Sequence, residues 1–218
     1  LAGNDPERAY LALWAIAFED APASVKPAEK LLAHKNLEMR FVAALHLTRL
    51  EIPATDSARI KALDDDDLRV ALIALTGPMH DDFDEEGETG TLDDERMFVA
   101  LERLYERMPE KPKLLKPLVW PWLEITAQRS FVASLLVSSL GTLPPTRLIP
   151  HLKQLDPASR SRIVTTLAEQ KTWDPQTRTA ILEHVGDASP DVRSAAFKAY
   201  KKTKLKPAET KHLEALLT

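Results

Sequence analysis

Apolar and polar positions along the chain follow a helical period, and one pattern recurs. It is a polar start, an arginine, then an Ala/Leu-rich apolar stripe. It reads "NLEMRFVAALHL" at 36–47, "DDLRVALIAL" at 66–75 and "SPDVRSAAFKAY" at 189–200. Weaker copies are "DDERMFVALERL" at 93–104, "AQRSFVASLLVSSL" at 127–140 and "ASRSRIVTTLAEQ" at 158–170. Their arginines are Arg40, Arg69, Arg96, Arg129, Arg162 and Arg193, spaced by 29, 27, 33, 33 and 31 residues. In the last copy Val192, Ala195, Ala196, Ala199 and Tyr200 share one face of a helix. Second helical patterns lie between the copies: "SARIKAL" at 57–63, "TRLIPHLKQL" at 146–155 and "PQTRTAILEHV" at 175–185. No stretch sustains the period-two alternation of a strand. The pattern therefore predicts an all-α chain, with a unit of two helices repeated about six times.

Proline and glycine punctuate the same units. Asp5-Pro6, Asp156-Pro157, Asp174-Pro175 and Ser189-Pro190 each place a capping side chain before a proline suited to the first helical turn. Gly77-Pro78 and Gly141 read as helix stops. Pro117, Pro121 and Pro150 instead fall inside apolar helical patterns, where they are expected to kink or split the helix.

The three strong copies resemble HEAT repeats in the short form common in bacterial proteins. Asp191, Val192, Arg193 and Ala196 match the family pattern of polar cap, aliphatic residue, arginine and alanine. Asp67, Leu68, Arg69 and Leu72 match it more loosely, and in Asn36, Met39, Arg40 and Ala43 the cap sits one residue earlier. The resemblance is strongest at 30–77 and 174–218. It implies an α-α superhelix, a curved solenoid of stacked helix pairs whose second helices line the concave side. It implies no particular activity, because HEAT arrays are mostly binding scaffolds. A lone pair cannot bury its apolar face, so neighbours must stack. The recurrent arginines are then expected to be structural, bridging to acidic or carbonyl groups of the next unit.

Composition narrows the class. The 218 residues are 44% hydrophobic but only 6% aromatic, with six glycines and no cysteine. Ala and Leu carry the apolar content, which favours helix. Disulfides and thiolate metal sites are excluded. No apolar run approaches the roughly 18 residues of a membrane span, and a cytoplasmic location without membrane contact is expected. Residues 1–218 are expected to form a single repeat domain, interrupted by an acidic loop at 78–91. The closing "KPAETKHLEALLT" reads as the first helix of a pair without its mate, so a fragment of a longer chain is expected. The net charge of −4 is unevenly spread. Residues 1–110 carry 24 Asp+Glu against 12 Lys+Arg, and residues 111–218 carry 9 against 17. Two surfaces of opposite sign, or uneven decoration of a solvated one, both fit that split.

The stretch "HDDFDEEGETGTLDDE" at 80–95 holds nine carboxylates and two glycines. Aligned as a twelve-residue calcium loop, it puts Asp82 first, Asp84 third, Glu86 fifth, Gly87 sixth, Glu88 seventh and Asp93 twelfth. It departs from that loop in the Glu at the fifth place, the Asp at the twelfth, Thr89, and the lack of an entering helix. A solvated loop, an acidic docking segment and a calcium site are the three readings, and the first is the expectation.

Catalytic signatures are missing. The six histidines, at 34, 46, 80, 151, 184 and 212, show neither HxxxH nor HExxH spacing. There is no GxSxG, GxxxxGK or GxGxxG. Ser138-Ser139 sits at a helix end, where capping explains it. No enzyme activity and no cofactor are expected. Lys198, Lys201, Lys202 and Lys204, with Lys206, form a basic cluster, and the first three lie opposite the apolar stripe of their helix. They are the candidate contacts for an acidic partner or for phosphate. Trp120 and Trp122 flank Pro121 and cannot share a helix face, so one is expected in the core and the other near the surface. The leading functional expectation is a non-enzymatic scaffold that holds a protein partner or another domain of its own chain. The alternative is nucleic-acid binding of the HEAT-like DNA glycosylase type, which needs a basic concave face that the acidic first half does not supply.

Overall fold

The computed structural model describes residues 3–76, 94–138, 144–201, 203 and 205–217. The chain forms two compact units, Leu1–Val132 and Ala133–Thr218. Both are built from helices, and among the described residues the only strands are two of three residues each.

In the first unit the helices are α1 (Pro6–Glu19), α2 (Val25–Leu32), α3 (Leu37–Arg49), α4 (Asp56–Leu63), α5 (Leu68–Ala74) and α6 (Asp94–Arg107). Helix α3 is central, packing on α1, α2 and α5. Its residues from Phe41 to Thr48 are buried without a break. A repeat helix with one apolar stripe would leave a wet face. Neighbours on several sides remove it here, and each large apolar side chain so buried contributes about 1.5–3 kcal/mol. Helix α5 is buried on all faces for the same reason, with five consecutive buried residues, Val70–Ala74. Its last carbonyls need a partner, and Arg59 supplies one. That side chain, fully buried in α4, donates from Nε and Nη2 to the Ala74 carbonyl at 3.1 and 3.0 Å. Asp56 lies 3.5 Å from the same guanidinium.

The apolar pattern around Pro117 and Pro121, expected as a kinked or split helix, forms no helix here. Strand β1 (Lys113–Leu115) pairs antiparallel with β2 (Ile125–Ala127), with Leu114 opposite Thr126. Pro117 and Pro121 lie in the connection between them. Two prolines four residues apart would each remove an intrahelical hydrogen bond and clash with the preceding turn, so the chain folds back instead. β2 packs on α5, and Arg69 ties the connection down by donating to the Lys116 carbonyl at 3.0 Å.

The second unit takes up α7 (Arg129–Ser138) from Ala133 onward. It then holds a 3-10 segment (Pro145–Gln154), α8 (Pro157–Ala168), α9 (Pro175–Glu183), α10 (Pro190–Lys201) and α11 (Pro207–Leu217). Pro150 falls within the 3-10 segment, which winds more tightly than the α-helical pattern around it predicts. α8 and α10 pack together, and α8 also meets α9 and the 3-10 segment. Val192, Ala196, Ala199 and Tyr200 are buried as the stripe predicts, with Ala195 half-buried. The caps form as expected at Asp5, Asp156 and Asp174, which accept from Arg8 N, from Ala158 and Ser159 N, and from Thr177 N.

The arginines follow a sharper rule than their spacing suggested. Four of them stand four residues after the residue that precedes their helix: Arg40, Arg160, Arg178 and Arg193. From there Arg40 reaches back to the His34 carbonyl at 3.2 Å, Arg160 to that of Leu155, and Arg193 to those of Asp187 and Ala188 at 2.8 and 2.9 Å. Three also reach forward, 25 to 31 residues on, to a carboxylate held two-pronged. Arg40 takes Asp65 at 2.7 and 3.2 Å, Arg160 takes Asp187 at 2.9 and 2.9 Å, and Arg178 takes Glu209 at 2.7 and 2.7 Å. Each carboxylate also accepts a backbone N–H: Asp67 N on Asp65, Ser189 N on Asp187 and Lys206 N on Glu209. In Arg40 and Arg160 one guanidinium thus joins the loop before its own helix to the start of a later one.

Four members of the expected series, Arg69, Arg96, Arg129 and Arg162, depart from this. Arg162 is exposed, and Arg160, two residues earlier, holds its place. Arg69 stands two residues after its cap rather than four, so it grips that cap, Asp67, at 2.8 and 2.7 Å. Arg129 donates to the Met108 carbonyl at 3.1 and 2.6 Å and lies 5.4 Å from the Tyr105 ring centre. Arg96 is in the first turn of α6.

Candidate functional site: an aromatic groove in the first unit

Helix α1 opens with "PERAYLALWAIAFE", apolar on more faces than its packing covers. Ala9 and Leu13 are buried in the unit, while Leu11 is 66% and Phe18 92% exposed. Beside α1 lies the β1–β2 connection, which brings Trp120 and Trp122 across from 110 residues away. The two indoles stack at 5.9 Å with their planes 26° apart, and Trp122 is 66% exposed. Tyr10 meets Trp120 at 5.1 Å, edge toward face. Together these side chains wall a groove of about 310 Å³, lined by Glu7, Tyr10, Leu11, Leu45, Arg49, Trp120 and Trp122. Arg49, in the last turn of α3, places Nη1 3.4 Å from the Tyr10 hydroxyl.

The groove's inner wall rests on an unusual buried pair. His46 of α3 is fully buried, 5.0 Å from the Trp14 ring and 6.4 Å from that of Tyr10. Its Nε2 lies 2.9 Å from Ser24 Oγ. The Ser24 hydroxyl gives its own hydrogen to the Ala21 carbonyl at 2.8 Å, so it must accept from Nε2–H. That assigns the neutral tautomer and leaves Nδ1 buried with no hydrogen-bond partner among the described residues. Burial alone pushes the imidazole down to about 4. The serine hydrogen points away from the ring, so this pair is not a nucleophile with its base. It is a buried strut beneath the aromatic wall.

The chemistry on offer is therefore binding: flat apolar faces, two indole N–H groups, one phenol, one carboxylate and one guanidinium. A second depression, of about 480 Å³, lies in the second unit between the 3-10 segment and α9. The Lys153–Glu183 ion pair, at 2.9 Å, belongs to its lining.

Of the residues singled out in the sequence, Lys198 and Lys201 are exposed on α10. Lys202 and Lys204 lie outside the described residues. So do Asp82, Asp84, Glu86, Glu88 and Asp93 of the calcium-loop alignment, and Gly77-Pro78 and Gly141. Among the described residues no group of three or more His, Asp or Glu is placed to hold a metal ion. No described helix is long and apolar enough to cross a membrane. Trp122 is exposed and Trp120 half-buried, but on a connection between strands and stacked together rather than on opposite faces of a helix. The sequence reading did not single out Tyr10, Leu11 or Arg49. The one signal for Tyr10 and Leu11 was the surplus of apolar residues in α1, and Arg49 had none.

Over residues 1–218 the chain matches a family of unknown function, DUF5724, and belongs to it. No curated protein and no solved structure matches it.

Proposed function

We propose that this member of a family of unknown function is a non-enzymatic protein-interaction module. In this reading it is a HEAT-like array of about six helix pairs, forming a curved α-α superhelix that holds a protein partner or another domain of its own chain. The observation that carries the interaction role is the aromatic groove. Exposed Trp122 and Leu11, with Tyr10, Trp120 and Arg49 beside them, form the kind of patch in which Trp, Tyr and Arg dominate binding energy. The arginine–carboxylate links, repeated at separations of 25, 27 and 31 residues, support the repeat reading. They are the nearest-neighbour contacts that a stacked array requires.

The test is capture of partners from lysate at moderate salt, after nuclease treatment, with the wild-type chain, Trp122→Ala and Lys198→Glu/Lys201→Glu side by side. The interaction reading expects a protein that survives nuclease and is lost with Trp122→Ala. Captured material that disappears with nuclease and with the lysine variant would replace this reading with nucleic-acid binding.

A further inference from the structure

The groove's shape and charge narrow the chemistry of what it takes. A β-strand ligand needs a free strand backbone to pair with. The groove is lined from α1, α3 and residues 120–122, whereas the strands are at 113–115 and 125–127. A helical ligand is about 10–12 Å across and anchors over several turns, too much for about 310 Å³. A quaternary ammonium enclosed by the rings would meet the guanidinium of Arg49, which lines the groove and donates to the Tyr10 hydroxyl. A polyproline II segment has none of these conflicts. It carries no internal hydrogen bonds, repeats every three residues over about 9 Å, and packs its rings on aromatic faces. The Trp indole N–H and Tyr O–H groups are the donors its free carbonyls need.

Charge selects further. Among the described residues Glu7 is the one carboxylate lining the groove, and it is exposed. The first unit carries 25 Asp+Glu against 16 Lys+Arg, a net of −9, which draws in basic segments.

We propose that the groove is the docking site for a short proline-rich segment in the polyproline II conformation. Its rings lie against Trp120, Trp122 and Tyr10, and a flanking Arg or Lys pairs with Glu7. This rests on the interaction role above and names the partner's chemistry.

The test uses the full chain carrying Trp173→Phe. Trp173 belongs to the second unit, so the remaining indoles, Trp14, Trp120 and Trp122, all report on the first. The probes are three synthetic peptides: one with two prolines three residues apart and a flanking arginine, the same peptide with glutamate for arginine, and a proline-free version. Saturable fluorescence change is expected with the first. Affinity should fall at least several-fold with the second and tenfold or more with the third. Trp122→Ala should weaken binding tenfold or more while leaving the circular-dichroism melt in place, since that ring is mostly exposed. Glu7→Lys should reverse the preference between the first two peptides. Equal affinity for the proline-free peptide, indifference to Trp122→Ala, or no saturation at millimolar peptide would each overturn the assignment. If no peptide binds while Trp122→Ala still abolishes capture of a protein partner, the interaction role stands and the proline-rich assignment falls.

Discussion

His46 makes the first unit sensitive to acid in a window where carboxylates contribute little. In the folded chain burial holds this imidazole at about 4, against an ordinary 6.5. A histidine kept neutral in the native state stabilises fully above 6.5, and that contribution is lost as pH falls toward the folded value. Across the whole interval the difference is worth about 3 kcal/mol. At pH 5 the unfolded imidazole is almost fully protonated and the folded one about a tenth so, which already costs about 2 kcal/mol. The perturbation is His46→Gln, which keeps a side-chain N–H for Ser24 and removes the titration. The assay is urea unfolding at pH 7.5, 6 and 5, followed by tryptophan fluorescence on the Trp173→Phe background. Trp14, 5.0 Å from the imidazole, is among its reporters. Wild type should lose about 2 kcal/mol more than His46→Gln between pH 7.5 and 5. Parallel pH dependences would show that His46 is not held neutral by burial, and the acid-sensitive strut would have to be abandoned.

The arginine rule separates two residues that sequence alone ranks the wrong way round. Arg160→Ala strips the bidentate partner from Asp187 and should cost about 2 kcal/mol in chemical denaturation. Arg162→Ala should stay within about 0.5 kcal/mol, and the reverse order would refute the rule. Arg59→Met leaves the Ala74 carbonyl uncapped and Asp56 buried without its cation. It should destabilise the first unit by about 3–5 kcal/mol, measured in the same way, and a loss under 1 kcal/mol would mean that water or another donor replaces the guanidinium.

Helices and caps were legible because they rest on local chemistry. Asp156 and Asp174 cap their own helices, and the buried face of α10 is the one its apolar spacing marks. The arginines were legible only in part: of the six the sequence marks, Arg40 alone makes the forward bidentate contact, which Arg160 and Arg178 make elsewhere. Which arginine does the work was not, because that depends on helix phase, and two residues turn a side chain by just over a half-circle. The β1–β2 pair could not be read from alternation, because each strand has only three residues. Arg59 and His46 look like ordinary polar positions in the sequence. Their burial comes from neighbours, α5 over Arg59 and α1 over His46, that no local pattern announces. Trp120 and Trp122 stood out by type. The groove they complete joins them to Tyr10 and Leu11, and only the fold makes that join.

The charge asymmetry also changes meaning once the side chains are placed. Asp64–Asp67 is as dense an acidic run as any part of 80–95, yet three of its members are taken up by arginines. Asp64 pairs with Arg103 at 3.1 Å, Asp65 with Arg40, and Asp67 with Arg69. Arg107 adds bonds to the Leu63 and Asp65 carbonyls. The hydrogen bond that Arg69 donates holds the Asp67 carboxyl below its ordinary range, and the one Arg40 donates to Asp65 raises Arg40. That run is structural. The stretch 80–95 carries nine carboxylates and no Lys or Arg, which accounts for the whole net of −9 in the first unit. The other residues of the unit balance at 16 against 16. The field that draws a basic segment toward this unit thus has its origin in one stretch of sequence. The aromatic faces that would hold such a segment belong to α1, α3 and the β1–β2 connection. Attraction and grip are assigned to different residues, so salt should act on the first and Trp122→Ala on the second.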